Sequence, residues 1–179
     1  MQPIVISISS VSGGGKSTVT KHLLQKLSLC KSLSFDQYEF EEPTDYLKWI
    51  RAGSNPNDWN LEPLIKDLEN LLTQQLHYIV LDFLFSYQHH AISDFIDVAV
   101  FIDTPLDIAL VRRVKRDFST SSIEAVNAEI DTYISAGRAG YLYMLENIKP
   151  NSDLIIDGTI PITEIIKVIV QFIKELEDK

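Results

Sequence analysis

Residues 10–18, SerValSerGlyGlyGlyLysSerThr, constrain what this chain can fold into more than any other stretch. They follow an apolar run, Pro3–Ile8, and lead into a helix-like run, Thr18–Leu29. Strand, glycine loop and helix in that order are the setting of a P-loop, which wraps a phosphate. Gly13, Gly14 and Gly15 carry no Cβ, so the backbone can curl with its N–H groups facing an anion. The following helix adds free N–H groups and the positive end of its dipole. Lys16 is then placed to reach β- and γ-phosphates, and the Ser17 hydroxyl to ligand Mg²⁺. Ser12, Gly13, Gly14, Gly15, Lys16, Ser17 and Thr18 are thus the candidate nucleotide-binding residues. The usual pattern, G-x-x-x-x-G-K-[ST], has its first glycine where this chain has Ser10. That exchange costs little if Ser10 ends the strand with φ below zero.

The rest of the chain repeats the strand–helix alternation. Apolar strands are predicted at Pro3–Ser9, Leu33–Phe35, Tyr78–Phe83, Val98–Ile102 and Asp153–Ile156. Helices are predicted over Ser17–Leu29, Leu61–Gln75, Pro105–Arg116 and Ile162–Lys174. A short helix is expected around Thr44–Arg51 with Thr44 as its cap. Ser122–Asn147 reads as mostly helical, broken near Gly137 or Gly140. Short apolar strands alternating with helices predict an α/β fold, a mainly five-stranded parallel sheet covered on both faces in a three-layer sandwich. With no repeat or linker in its 179 residues, the chain is expected to form a single domain over 1–179. Ligands of such sheets bind beyond the carboxyl ends of the strands. The glycine loop, Asp36 and Asp82 all fall there and should meet in one crevice.

Composition excludes several classes. The net charge of −9 argues against a nucleic-acid partner, which calls for a basic surface. No apolar run is long enough to span a bilayer, and no signal segment opens the chain. A lone cysteine, Cys30, cannot make an intramolecular disulfide, which fits a cytoplasmic location. The adjacent His89 and His90 read as surface or loop residues, because neighbours face different ways and bind a metal poorly together.

Four groups of residues have chemical potential. Asp36, after the second strand, is either a general base for an attacking hydroxyl or a turn cap. Asp82, at the end of TyrIleValLeuAsp, is where P-loop proteins hold Mg²⁺, often through water. Arg112 and Arg116 lie four apart on one helix face in ArgArgValLysArgAsp. They either stabilise a transferring phosphoryl group or simply oppose the helix dipole. Tyr38, Tyr46, Trp49, Arg51 and Trp59 cluster after Asp36, where aromatic rings suit a flat acceptor and Arg51 an anion; packing of a small lobe is the plainer reading.

Taken in order, SerValSerGlyGlyGlyLysSerThr, PheAspGlnTyr and ArgArgValLysArgAsp resemble the uridine kinase and phosphoribulokinase family of P-loop kinases. The resemblance covers most of the chain and includes Asn55–Leu64, ValPheIleAspThrPro and Asn151–Gly158. It implies that Asp36 is the base for the acceptor hydroxyl and Tyr38 its neighbouring aromatic. It implies that Arg112, Arg113 and Arg116 begin a mobile lid over the phosphates, with 37–60 as the acceptor side and 112–140 as the lid. Two departures stand out. The family's Glu-Gly pair after the third strand is Asp82-Phe83 here. Its nucleoside-holding hairpin before that strand is missing, since Leu61–Gln75 runs almost directly into Tyr78–Asp82.

The expected activity is therefore ATP-dependent phosphorylation of a hydroxyl on a small, nucleoside-like acceptor. Lys16, Asp36, Arg112 and Arg116 are the expected catalytic residues. Arg113 joins the loop in binding nucleotide, and Ser17 and Asp82 hold Mg²⁺. Asp36, Tyr38, Tyr46, Trp49 and Arg51 contact the acceptor. A vitamin or sugar acceptor, and an ATP-binding regulatory protein or slow ATPase, remain as alternatives.

Overall fold

The computed structural model describes residues 2–41, 43 and 45–177, with only the backbone of Tyr46. Five strands, β1 (Ile4–Ser9), β2 (Cys30–Ser34), β3 (Tyr78–Asp82), β4 (Val98–Asp103) and β5 (Leu154–Asp157), form one parallel sheet. Their order across the sheet is β2-β3-β1-β4-β5, with β1 at the centre. Among the described residues, eight α-helices connect and cover the strands: α1 (Lys16–Lys26), α2 (Tyr46–Arg51), α3 (Glu62–Leu72), α4 (His90–Ser93), α5 (Leu106–Asp117), α6 (Ile123–Thr132), α7 (Arg138–Tyr143) and α8 (Ile162–Glu177). This is the α/β sandwich that the strand–helix alternation predicts. No helix among the described residues is long and apolar enough to cross a membrane.

Strand periodicity divides the core into two layers. Ile6, Ile8, Val80, Val98, Val100 and Ile102 pack with Val19 and Leu23 of α1 and Ile165, Ile169 and Ile173 of α8. Their neighbours Val5, Ile79, Leu81 and Ala99 point the other way, onto Leu64, Leu68 and Leu71 of α3. Both faces are buried, so the strands carry unbroken apolar runs rather than alternating ones.

Several element boundaries differ from the sequence reading. Helix α1 stops at Lys26, because Leu27 is already extended and Leu29 takes a left-handed φ of 49°. Strand β2 consequently starts at Cys30, three residues before the predicted Leu33. Thr44, expected to cap α2, lies outside the described residues; the side chain of Asp45 caps it, accepting from the Lys48 N–H at 2.9 Å. The long helix after α5 is not broken at Gly137 or Gly140. It continues through π-helical turns at Tyr133–Gly137 and Met144–Ile148, with Gly137 at ordinary helical angles. Tyr133, Tyr141, Met144 and Ile148 pack on Val11, Phe101 and Ala109. That burial offsets the roughly 1 kcal/mol that a glycine costs a helix.

The fold also fastens the glycine loop from outside. Thr104, buried after β4, donates its hydroxyl to the Gly14 carbonyl at 2.8 Å. Gly158, after β5, sits so close to Thr104 that a Cβ there would collide with its hydroxyl. Replacing Thr104 by valine keeps the shape but leaves a buried carbonyl unpaired. Thr104→Val should lower the unfolding free energy by about 1–3 kcal/mol in urea titration.

Candidate active site

Between β1 and α1 the chain makes a tight loop in which the carbonyls of Val11, Ser12, Gly14 and Gly15 are engaged. The Val11 carbonyl accepts from the Gly14 N–H at 2.8 Å and from the Ser10 hydroxyl at 3.0 Å. The Ser12 carbonyl accepts from Tyr141 Oη at 3.0 Å, the Gly14 carbonyl from Thr104, and the Gly15 carbonyl from the Val19 N–H at 3.0 Å. The Gly14 N–H is used within the loop, whereas the first N–H groups of α1 have no intrahelical partner and are open to an anion. Gly13 (φ 83°) and Gly15 (φ 109°) supply the left-handed turns. A Cβ on Gly13 would also run into the Ala109 carbonyl of α5. Ser10 keeps φ out of the left-handed region, as its place at the end of β1 requires. Its side chain fills space beside Gly14, where a Cβ would lie 2.8 Å from it.

The loop floors a cleft of about 370 Å³ lined by Ser12 through Val19, with Asp36, Arg112, Arg116 and Gly158 on its sides. Ile160, Ile162 and Ile165 give one end an apolar wall. Arg112 Nη1 donates to the Gly158 carbonyl at 3.2 Å, and Arg116 makes a two-point bond to Asp117 at 2.6 and 3.0 Å. That bond to Arg116 holds the Asp117 carboxyl below its ordinary value. Arg113, expected at the nucleotide, is turned away from the cleft. Its guanidinium pairs with Glu129 and donates to Tyr141 Oη at 3.3 Å. The reason is helical geometry: Arg112 and Arg116 share a face, and Arg113 points about 100° around the helix from Arg112.

Lys16 stands where two strand ends meet. Its ammonium is 2.8 Å from Asp82 Oδ1 and 3.4 Å from Asp36 Oδ2. Asp82, at the end of β3, is buried, whereas the Asp36 side chain is 70% exposed on the 3₁₀ turn Phe35–Gln37. The exposed carboxylate is thus open to an incoming group, and the buried one fixes the lysine.

Beyond Lys16 and Asp36 lies a second cavity of about 220 Å³. Phe35, Trp49, Trp59 and Phe85 form an aromatic wall, with Trp49 and Trp59 edge-to-face at 5.8 Å and Phe35 and Trp59 at 5.2 Å. Gly140, Tyr141, Tyr143 and Met144 close it from the long helix. Ser12, Lys16 and Asp36 border both cavities. Of the residues expected at the acceptor, Asp36 and Trp49 are brought here. Tyr38 is held elsewhere, donating to Asp67 at 2.9 Å and stacked on Phe40. Arg51 is exposed at the end of α2 and is not part of the wall. The Tyr46 side chain lies outside the described residues.

His89 lies in a loop, one of the two places read for it, but it is not at the surface. It is 3% exposed, packed beside Phe83 and Phe85, with Nε2 3.0 Å from the Trp59 carbonyl. A carbonyl only accepts, so Nε2 carries the proton and the ring braces the aromatic wall. Phe35, Ser54, Phe85, Tyr141, Tyr143 and Met144 were also missed. Only the Gly140, Tyr143, Met144 spacing, one turn of a helix face, is a sequence signal for them.

Residues 56–165 match the sequence model of the phosphoribulokinase / uridine kinase family. The chain belongs to that family. The matched stretch begins after the glycine loop, so it is independent of that motif. A uridine kinase of Borrelia garinii subsp. bavariensis is 28% identical over 177 residues, covering 85% of each chain. Two solved kinases share the fold. Shikimate kinase from Aquifex aeolicus superposes with a TM-score of 0.55 at 16% identity, over 97% of this chain and 98% of that one. Deoxyadenosine kinase from M. mycoides gives 0.53 at 14%, over 96% and 100%. Membership of the phosphoribulokinase / uridine kinase family makes this chain an ATP-dependent kinase.

Burial lowers the pKa of His89 below its ordinary 6.5. The folded protein therefore binds fewer protons than the unfolded chain just below that pH, and stability falls as the pH drops. Thermal melting between pH 7.5 and 5 should show a fall beginning near 6.5, and His89→Gln should flatten that part of the curve.

Proposed function

We propose that this kinase transfers the γ-phosphate of ATP to a hydroxyl of a nucleoside-like acceptor. The observation that carries the reading is the pair of cavities meeting at Lys16 and Asp36. One is floored by backbone N–H groups and suits phosphates; the other is walled by aromatic rings and suits a small organic molecule. Only groups at the border can act on both substrates.

Each residue then has a role. The loop N–H groups and Lys16 hold the β- and γ-phosphates, and Lys16 exchanges part of its contact with Asp82 and Asp36 for phosphate oxygens. Asp36 accepts the proton as the acceptor oxygen bonds to the γ-phosphorus, and the bond to the β-phosphate oxygen breaks to release ADP. Arg112 and Arg116 stabilise charge on the transferring group. In this reading, residues 112–140 of the single domain act as a lid whose closure excludes water, which otherwise competes as acceptor.

The donor set also suits Mg²⁺. No cluster of three or more His, Cys, Asp or Glu side chains is present among the described residues. Magnesium in kinases needs none, since phosphates and water supply most of its ligands. Ser17, exposed on the cleft, and Asp82, directly or through water, are the residues that would hold it. The ion supplies charge neutralisation on the phosphates when bound.

ADP release from Mg-ATP should rise with a nucleoside such as uridine over a no-acceptor control. Asp36→Asn should retain ATP binding by calorimetry while losing about 10²–10⁴-fold in acceptor-dependent turnover. Parental turnover in that variant would remove Asp36 as the base; ATP binding without any acceptor dependence would point instead to a regulatory protein or slow ATPase.

A further inference from the structure

The peptide between Ser12 and Gly13 is held by side chains from three helices. Tyr141 of α7 donates its hydroxyl to the Ser12 carbonyl at 3.0 Å. Arg113 of α5 donates Nη1 to that same hydroxyl at 3.3 Å and pairs through Nη2 with Glu129 of α6. Asp117, one turn further along α5, lies 3.9 Å from Arg113 Nε. Tyr141, Arg113, Glu129 and Asp117 are all absent from the lining of the glycine-loop cleft, whereas Gly13 lines it.

The direction of each bond is forced. A guanidinium only donates, so Arg113 takes a lone pair of the Tyr141 oxygen. The single hydroxyl proton is then left for the Ser12 carbonyl. The Ser12–Gly13 peptide is trans, as are all those described, so its C=O and N–H point opposite ways. Holding the carbonyl toward Tyr141 turns the Gly13 N–H away from it, to the side on which Gly13 borders the cleft. The left-handed φ of 83° at Gly13 lets the chain turn there. A backbone N–H presented in that way is a donor for an anion.

Stability does not account for this relay. The Arg113 and Glu129 side chains are only 21% and 17% exposed. Charges drawn that far out of water gain little net stability from pairing, and the best-attested use of such a pair is to fix an arrangement. What this pair fixes is the Tyr141 hydroxyl, whose ring is steadied edge-on by Tyr133 at 5.2 Å.

We propose that Arg113, Glu129 and Tyr141 are positioning residues for ATP. The ion pair orients the tyrosine hydroxyl, and the hydroxyl orients the Ser12–Gly13 peptide so that its N–H donates to a phosphate. The inference rests on the reading above, in which the glycine loop holds the phosphates. Arg113 thus serves nucleotide binding without touching the nucleotide. It also joins the segment read as a lid to the loop beneath it.

The test is calorimetric titration of the full chain with the β,γ-imido analogue of Mg-ATP. No acceptor is added, so the place of Tyr141 in the second cavity does not enter. Tyr141→Phe keeps the ring and removes the central oxygen; Arg113→Met keeps the stem and removes the guanidinium. Each should raise the Kd about three- to tenfold, the effect of one lost hydrogen bond. The double variant should bind no more weakly than Tyr141→Phe, because Arg113 acts only through the hydroxyl. Glu129→Gln, which keeps an acceptor for Arg113, should raise the Kd by less and be equally silent in the Tyr141→Phe background. That second cycle decides the matter if Arg113→Met does not fold. Losses that multiply in the double variants overturn the relay, since Arg113 would then act on the nucleotide by another route. An unchanged Kd in folded Tyr141→Phe overturns it as well. Either result leaves the kinase reading standing. A parent that binds no nucleotide overturns that reading and the relay together.

Discussion

The contact between Lys16 and the buried carboxylate of Asp82 is the point on which the rest of the site depends. The lysine begins α1 and the aspartate ends β3, so their 2.8 Å separation ties the glycine loop to the sheet. Asp82 is 3% exposed, and a carboxylate buried that deeply needs a cation beside it. The pairing that satisfies it also stretches Lys16 along the border between two cavities. Its second carboxylate, Asp36, is exposed and held less closely at 3.4 Å, which leaves it available for chemistry.

The glycine loop is kept in shape by residues far away in the chain. Thr104, from the end of β4, and Tyr141, from α7, each take one of its carbonyls. Tyr141 in turn accepts from Arg113, whose guanidinium is paired with Glu129 of α6. A positive charge expected at the phosphates thus serves as a strut linking α5, α6 and the loop. The same tyrosine lines the second cavity, so the two cavities share a structural member.

The second cavity is built without a hairpin between α3 and β3. Helix α3 ends at Leu72 and β3 begins at Tyr78, with only a turn between them. Aromatic residues from 35 to 59, braced by Phe85 and His89, form the wall of this cavity near the carboxyl ends of the strands. These rings bury against one another, and Trp49 and Trp59 are positioned by edge contacts as much as by the backbone.

The sequence by itself determined the sheet, the glycine loop and the expectation that strand-end carboxylates would face it. Those features rest on local rules: period-two burial, a helix start, and glycines where φ must be positive. Ser10 in place of the first glycine was readable for the same reason, since only its own φ mattered. The tertiary structure alone decided which aromatic residues line the second cavity, that His89 is buried, and that Arg113 faces Glu129 rather than the cleft. It also carried the helix through Gly137 and Gly140, where local propensity argued for a break. Each of these turns on side chains distant in sequence packing together, and the free energy of such burial exceeds local preference.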